Sequence, residues 1–246
     1  MKSISTIIFL SFFANFFSQN FQTVKIGSQQ WTQKNSEIDE FRNGEKINEV
    51  KTKEDWLKVA NLKEPAWCYY EFDSKNAYLG KLYNYYAISD KRNIAPNGWK
   101  TPSFFDFFSM IKSIDPLCTE KYFEKNGSLS GGSLKINKEI HYPQTDCPQI
   151  NSNFNALLAG GFSPSLNYPE YDWVPIGEKA FFWCLTDWNS ILNVIDESNI
   201  DKVKKNIESG KLDDKAIVIR LRNYDCIIDA DDDPKMNGYY LRFLKE

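Results

Sequence analysis

Aromatic side chains set the strongest constraint on this chain. Eighteen Phe, thirteen Tyr and seven Trp are spread along 246 residues, against a single histidine. Each ring brings roughly 150–250 Å² of surface that has to be covered. Disordered chains carry few such rings, so this one must fold. At this length the expected result is one large globular domain, with two small ones as the upper bound. Charge adds little direction: 30 Lys and Arg face 33 acidic residues for a net charge of −3, and only 5 of the bases are Arg. A nucleic-acid surface favours a basic face rich in guanidinium forks. Nucleic acid is therefore not an expected partner.

Compartment is written at the N-terminus. Met1-Lys2 precedes an apolar run from Ile4 to Phe17, interrupted by Ser5, Thr6, Ser11 and Asn15. A basic start and a short apolar core are the pattern of a secretory signal peptide, here residues 1–19. The run is too short for a comfortable membrane span, which takes about 20 apolar residues. No second long apolar stretch follows, so no span is expected in the mature chain, and secretion or residence in the cell envelope is. In that setting Cys68, Cys118, Cys147, Cys184 and Cys226 are expected either to form one or two disulfides or to be small buried hydrophobes. An odd count leaves at least one thiol unpaired. There is no Cys-x-x-Cys pair, which speaks against zinc.

Local signals place the elements. Val24 to Trp31 reads as a short strand with a turn at Gly27-Ser28, and Asn43-Gly44 as a tight turn. Thr52 and Asp55 form a weak capping box for a helix through Trp56 and Val59, stopped by Pro65. Ser103 caps a second helix, on which Phe104, Phe107, Phe108 and Ile111 make one apolar stripe up to Ile114. Residues 124–153 read as loops around a short strand from Ser133 to Ile136. Gly131-Gly132 does not fit a phosphate cradle. Phe154 to Phe162, Ala180 to Thr186, Ala216 to Leu221 and Tyr239 to Leu244 read as strands. Residues 191–215 read as a charged helical insertion with Ile200, Val203 and Ile207 on one side.

Seven segments in this order resemble a known family: Val24-Lys25-Ile26-Gly27, Phe41-Arg42-Asn43-Gly44, Pro65 to Tyr70, Gly80 to Ala87, Ala95 to Ser103, Phe154-Asn155-Ala156-Leu157 with Gly160-Gly161, and Gly238-Tyr239-Tyr240-Leu241-Arg242. Together they resemble the Fibrobacter succinogenes major paralogous domain of exported bacterial proteins, covering residues 20–246. The resemblance implies an α+β fold: a C-type-lectin-like single domain with two main helices, short antiparallel strands and long loops. It implies no reaction. It also implies a Cys where this chain has Gln30 and another where it has Phe243; if those two normally bond, the terminal strands here lie side by side without the staple.

Chemistry is sparse. A nucleophilic triad would have to use His141, in a loop with no Gly-x-Ser-x-Gly elbow anywhere. The family's kinship with sulfatase-modifying factors would imply a reactive cysteine pair, whose motif is missing. The acidic run Asp229, Asp231, Asp232 and Asp233 lacks the spacing of a calcium loop and reads as a solvated turn. No metal, cofactor or catalytic residue is expected. Trp173 and Trp188 could stack on a sugar while Asp187 and Asn189 bond its hydroxyls, although packing of both indoles under long loops is the commoner use of such residues. The expectation is a non-enzymatic binding or adhesion protein of the bacterial surface, with a glycan or a surface protein as partner. The alternatives are a sulfatase-modifying-factor-like enzyme and a structural envelope protein.

Overall fold

The computed structural model describes residues 21–119, 131–135, 152–165, 169–194 and 197–246. Residues 1–19, read above as a signal peptide, and His141 and Cys147 lie outside them. A two-residue turn at Gly27-Ser28 joins β1 (Thr23–Ile26) to β2 (Gln29–Thr32) in an antiparallel hairpin. Two-residue turns are the commonest hairpin connections because their twist matches that of the strands. Next come β3 (Asn48–Glu49), α1 (Lys53–Asn61), β4 (Ala66–Cys68), β5 (Leu82–Tyr83), α2 (Tyr85–Ile88), β6 (Trp99–Lys100) and α3 (Phe104–Ile114). The second half supplies α4 (Gly131–Leu134), β7 (Gly161–Phe162), β8 (Trp173–Val174), β9 (Lys179–Trp183), α5 (Trp188–Ile191), α6 (Glu197–Glu208), β10 (Lys215–Arg222), β11 (Ile228–Pro234) and β12 (Leu244–Lys245). The strands assemble as β1-β2-β12-β6, β11-β10-β9, β3-β4-β5 and the pair β7-β8. The class is α+β.

Both main helices start at the expected caps. Thr52 Oγ1 accepts the Asp55 amide of α1 at 3.1 Å. At α3 the box is complete, since Ser103 Oγ accepts the Asp106 amide at 3.2 Å and Asp106 Oδ2 accepts the Ser103 amide at 2.8 Å. The α3 stripe buries Phe104, Phe107, Phe108 and Ile111.

The core lies on both faces of β9 and β10. Phe182, Ile217, Ile219 and Leu221 point into a cluster shared with α3, Trp31 and Trp56. Phe181, Trp183, Ala216 and Val218 point the other way, toward Trp67, Tyr83, Trp99 and Tyr239. Burial on two faces explains why these strands read as near-continuous apolar runs. The indole N–H groups of three buried tryptophans find backbone acceptors: Trp56 donates to Met236 O at 2.7 Å, Trp67 to Ile47 O at 3.1 Å and Trp183 to Tyr83 O at 2.9 Å.

Four expectations are corrected. Ser133 lies in the helical turn α4, and of the expected strand's described residues only Lys135 pairs, in a single bridge to Ala156, Ile136 lying outside the described residues; Gly131 sits so close to the Cys226–Ile227 backbone that a Cβ would come within 2.6 Å of it. Phe154 to Gly160 is not a strand, because Asn153, Asn155 and Gly160 adopt positive φ and only Gly161–Phe162 pairs as one. The acidic run is not a turn but the strand β11, in register with β10. Tyr239 to Leu244 is not one strand. It passes from partner to partner, bridging Tyr239 to Tyr83 and Tyr240 to Phe182, with Leu244 between Trp31 and Lys100.

The terminal strands do lie side by side. Leu244 pairs with Trp31, and Thr32 N donates to Phe243 O at 2.9 Å. That register sets Phe243 opposite Thr32, two positions along β2 from Gln30. Cys226 is disulfide-bonded, with its partner outside the described residues. Cys68 and Cys184 are buried free thiols, and Cys118 is buried too.

Candidate functional site

Past β2 the chain bends at Gln33-Lys34 and is fastened by Gln33 N to Gln22 O and Ser36 N to Leu241 O, both at 2.8 Å. Asn35 is the junction of this stretch. Its Nδ2 donates to Leu79 O at 2.8 Å and its Oδ1 accepts Arg242 Nε at 3.2 Å. Leu79 closes a 3₁₀ segment, Ser74–Leu79, which Asp73 caps by accepting the Lys75 amide at 2.9 Å. Gly80 then turns the chain at φ +87°, where an added Cβ would come within 2.6 Å of Asn35 Cβ. Only glycine permits both that backbone and that approach.

These segments enclose a groove of two adjoining concavities. One, of about 520 Å³, is lined by Phe21, Gln22, Thr32, Lys34, Asn35, Glu37 and Ile38. The other, of about 320 Å³, shares Gln22, Lys34, Asn35 and Glu37 and adds Tyr78, Asn155, Leu157 and Arg242. Both volumes fall in the range of small-molecule sites, about 300–1,000 Å³. Tyr78 stands on the rim with 69% of its surface exposed. Gln22 and Asn155 line the same space, together with the exposed and oppositely charged Lys34 and Glu37.

Arg242 forms the floor and is fully buried. Its Nη1 donates to Phe154 O and its Nη2 to Asn155 O, the latter at 2.9 Å. The rings of Phe154 and Phe182 flank its guanidinium at 4.3 and 5.3 Å. Burial pulls its pKa from the ordinary guanidinium value to about 9, which leaves it cationic at neutral pH. Neither Arg242 nor Tyr78 stands out in the sequence reading. The available signal was an arginine inside an otherwise apolar segment, Tyr239-Tyr240-Leu241-Arg242-Phe243-Leu244, since buried charges are rare unless a specific arrangement holds them.

The residues singled out from sequence are distributed differently. Trp173, on β8, is half-buried; its ring stacks on Phe162 at 4.3 Å and meets Tyr70 and Phe72 at 4.9 and 5.2 Å. Asp187 caps α5, accepting the Asn189 amide at 3.1 Å and the Ser190 hydroxyl. The Ser190 hydrogen bond holds its carboxyl below the usual range. Trp188 is half-buried against the core, and Asn189 is exposed. Asp187, Trp188 and Asn189 thus share one helix start. Trp173 packs against the same core cluster as Trp188, but its ring neighbours are Tyr70, Phe72 and Phe162, and no ring contact joins it to Trp188 among the described residues.

The acidic strand is committed to cations. Asp229 accepts from Arg220 at 3.0 Å and from Arg222, Asp231 accepts from Arg220 at 2.7 Å, and Asp232 pairs with Lys215. Asp233 accepts the Tyr239 hydroxyl at 2.7 Å. The buried thiols are unreactive in kind, because burial raises the pKa of Cys68 and of Cys184 and the thiolate is the nucleophile.

The model of the Fibrobacter succinogenes major domain matches residues 24–245. The chain belongs to that family. The Fibrobacter succinogenes major domain is a paralogous, surface-associated family, and here it spans every strand except the first residue of β1. No curated protein and no solved structure matches this chain. Among the described residues no helix is long and apolar enough to cross a membrane.

Proposed function

We propose that this member of the Fibrobacter succinogenes major domain family is an exported binding protein of the cell surface, and that the groove beside Tyr78 takes a hydroxyl-rich ligand such as a glycan. The observation that carries this reading is the exposed Tyr78 ring at the mouth of a concavity edged by amides. An aromatic face with a few polar groups is how small-ligand sites are generally built. The basic, apolar N-terminus supports export. The pairing of β2 with β12 supports a C-type-lectin-like arrangement. Against the sulfatase-modifying alternative stand the buried thiols, whose raised pKa opposes the thiolate such chemistry needs.

A second reading keeps the ligand at the α5 start, because the Asn189 side chain is exposed beside the half-buried Trp188 ring. A glycan array probed with wild type, Tyr78→Ala and Trp188→Ala separates the two. Loss of binding in Tyr78→Ala alone, with an unchanged unfolding midpoint, supports the groove. Loss in Trp188→Ala alone moves the site to α5, and silence of the wild type across hydroxyl-rich ligands removes both.

A further inference from the structure

All five arginines lie among the described residues, and four of them meet a carboxylate: Arg42 with Glu246 at 3.4 Å, Arg92 with Asp90 at 2.8 Å, Arg220 with Asp229 at 3.0 Å, and Arg222 with Asp229. Arg242 is the exception, and it is the most deeply buried of the five. Its partners are Asn35 Oδ1 and two backbone carbonyls, all neutral. A buried charge is ordinarily paired, because desolvation is costly and attraction is strong where water is excluded. Here the acceptors satisfy the hydrogen bonds but leave the charge uncompensated.

This charge lies under the smaller concavity, and Lys34 stands above it on the rim without an ion-pair partner among the described residues. Among the described residues Glu37 is the one carboxylate lining the same space. The groove therefore carries an excess of positive charge on a chain whose net charge is −3. Resting on the groove being the binding site, we infer that its ligand is a carboxylate-bearing saccharide, with the acid group seated between Lys34 and the floor over Arg242. The Tyr78 ring stacks on the sugar, the amides of Gln22 and Asn155 bond its hydroxyls, and Lys34 pairs directly with the carboxylate. Arg242 acts through the field and by holding Asn35 and the 154–155 carbonyls in place, so it is a positioning residue and does not touch the ligand.

The test is calorimetric titration of the purified chain with a triglucuronate and with its methyl ester, which keeps the sugar scaffold and removes the charge. The acid form is expected to bind at least about tenfold more tightly at low salt, a gap that narrows as salt screens the exposed Lys34. Lys34→Gln, a surface change that should not disturb folding, is expected to cut that acid-over-ester preference about threefold. Equal affinity for acid and ester overturns the charge inference and leaves the groove standing. Failure of both to bind overturns the inference together with the groove reading, provided that no neutral glycan binds either; if a neutral glycan does bind, only the inference falls. Acid preference that survives in Tyr78→Ala places the site elsewhere and also overturns it.

Discussion

Thr101 buries a hydroxyl with no hydrogen-bond partner. An unsatisfied buried polar group costs about 1–3 kcal/mol, and valine has nearly the same shape. Thr101→Val is therefore expected to raise stability by about 1 kcal/mol, seen as a higher urea midpoint at unchanged slope; a lower midpoint would mean that the hydroxyl has a partner in solution. Gly80 makes the opposite case. At φ +87° and with Asn35 in the way, Gly80→Ala is expected to lose about 1–3 kcal/mol and to abolish ligand binding in the groove. Retained binding at full stability would show that the Tyr78–Gly80 turn does not shape the site. At this scale legibility follows sequence distance. The Ser103 cap could be read because its partner Asp106 is three positions away. Arg242 could not, because its partners Asn35, Phe154 and Asn155 lie 207, 88 and 87 positions away.

Among elements, α1 and α3 were legible because a stripe and a cap are local statements. The strand β11 was not. Aspartate is depleted in strands, so Ile-Asp-Ala-Asp-Asp-Asp-Pro reads as a turn. Cross-strand pairing with Arg220, Arg222 and Lys215 overrides that preference, and the register that creates those pairs is tertiary. Asp233 is the member of the run with no basic partner among the described residues. Burial raises its pKa first, the charges of Asp231 and Asp232 add to the rise, and the Tyr239 hydroxyl and Arg220 work against it. The folded state thus holds this proton more tightly than the unfolded chain. Its contribution to stability is complete below the unfolded carboxylate pKa of about 3.9 and is lost as pH rises through the raised value. Asp233→Asn cannot titrate there. Relative to wild type it is expected to be about equal in stability near pH 4 and more stable near pH 7, by urea denaturation; a difference that does not vary with pH would remove this account.

For the whole molecule, the segment from Gly238 to Lys245 meets every sheet. Gly238 bridges Phe162 of β7, Tyr239 bridges Tyr83 of β5, Tyr240 bridges Phe182 of β9, and Leu244 and Lys245 join β2 and β6. Sequence reading found an apolar strand there but not its division among four partners, since periodicity reports burial and not the identity of the neighbour. A chain ending at Asn237 is expected to lose cooperative unfolding in urea followed by tryptophan fluorescence. A sharp transition in that truncated chain would show that the sheets cohere without the segment. The position of this segment gives the arrangement its consequence. It follows every other described strand along the chain, so none of the four sheets is locked to the others until it has docked. Closing the molecule is thereby reduced to seating one short stretch, and whatever withholds that stretch keeps all four surfaces apart.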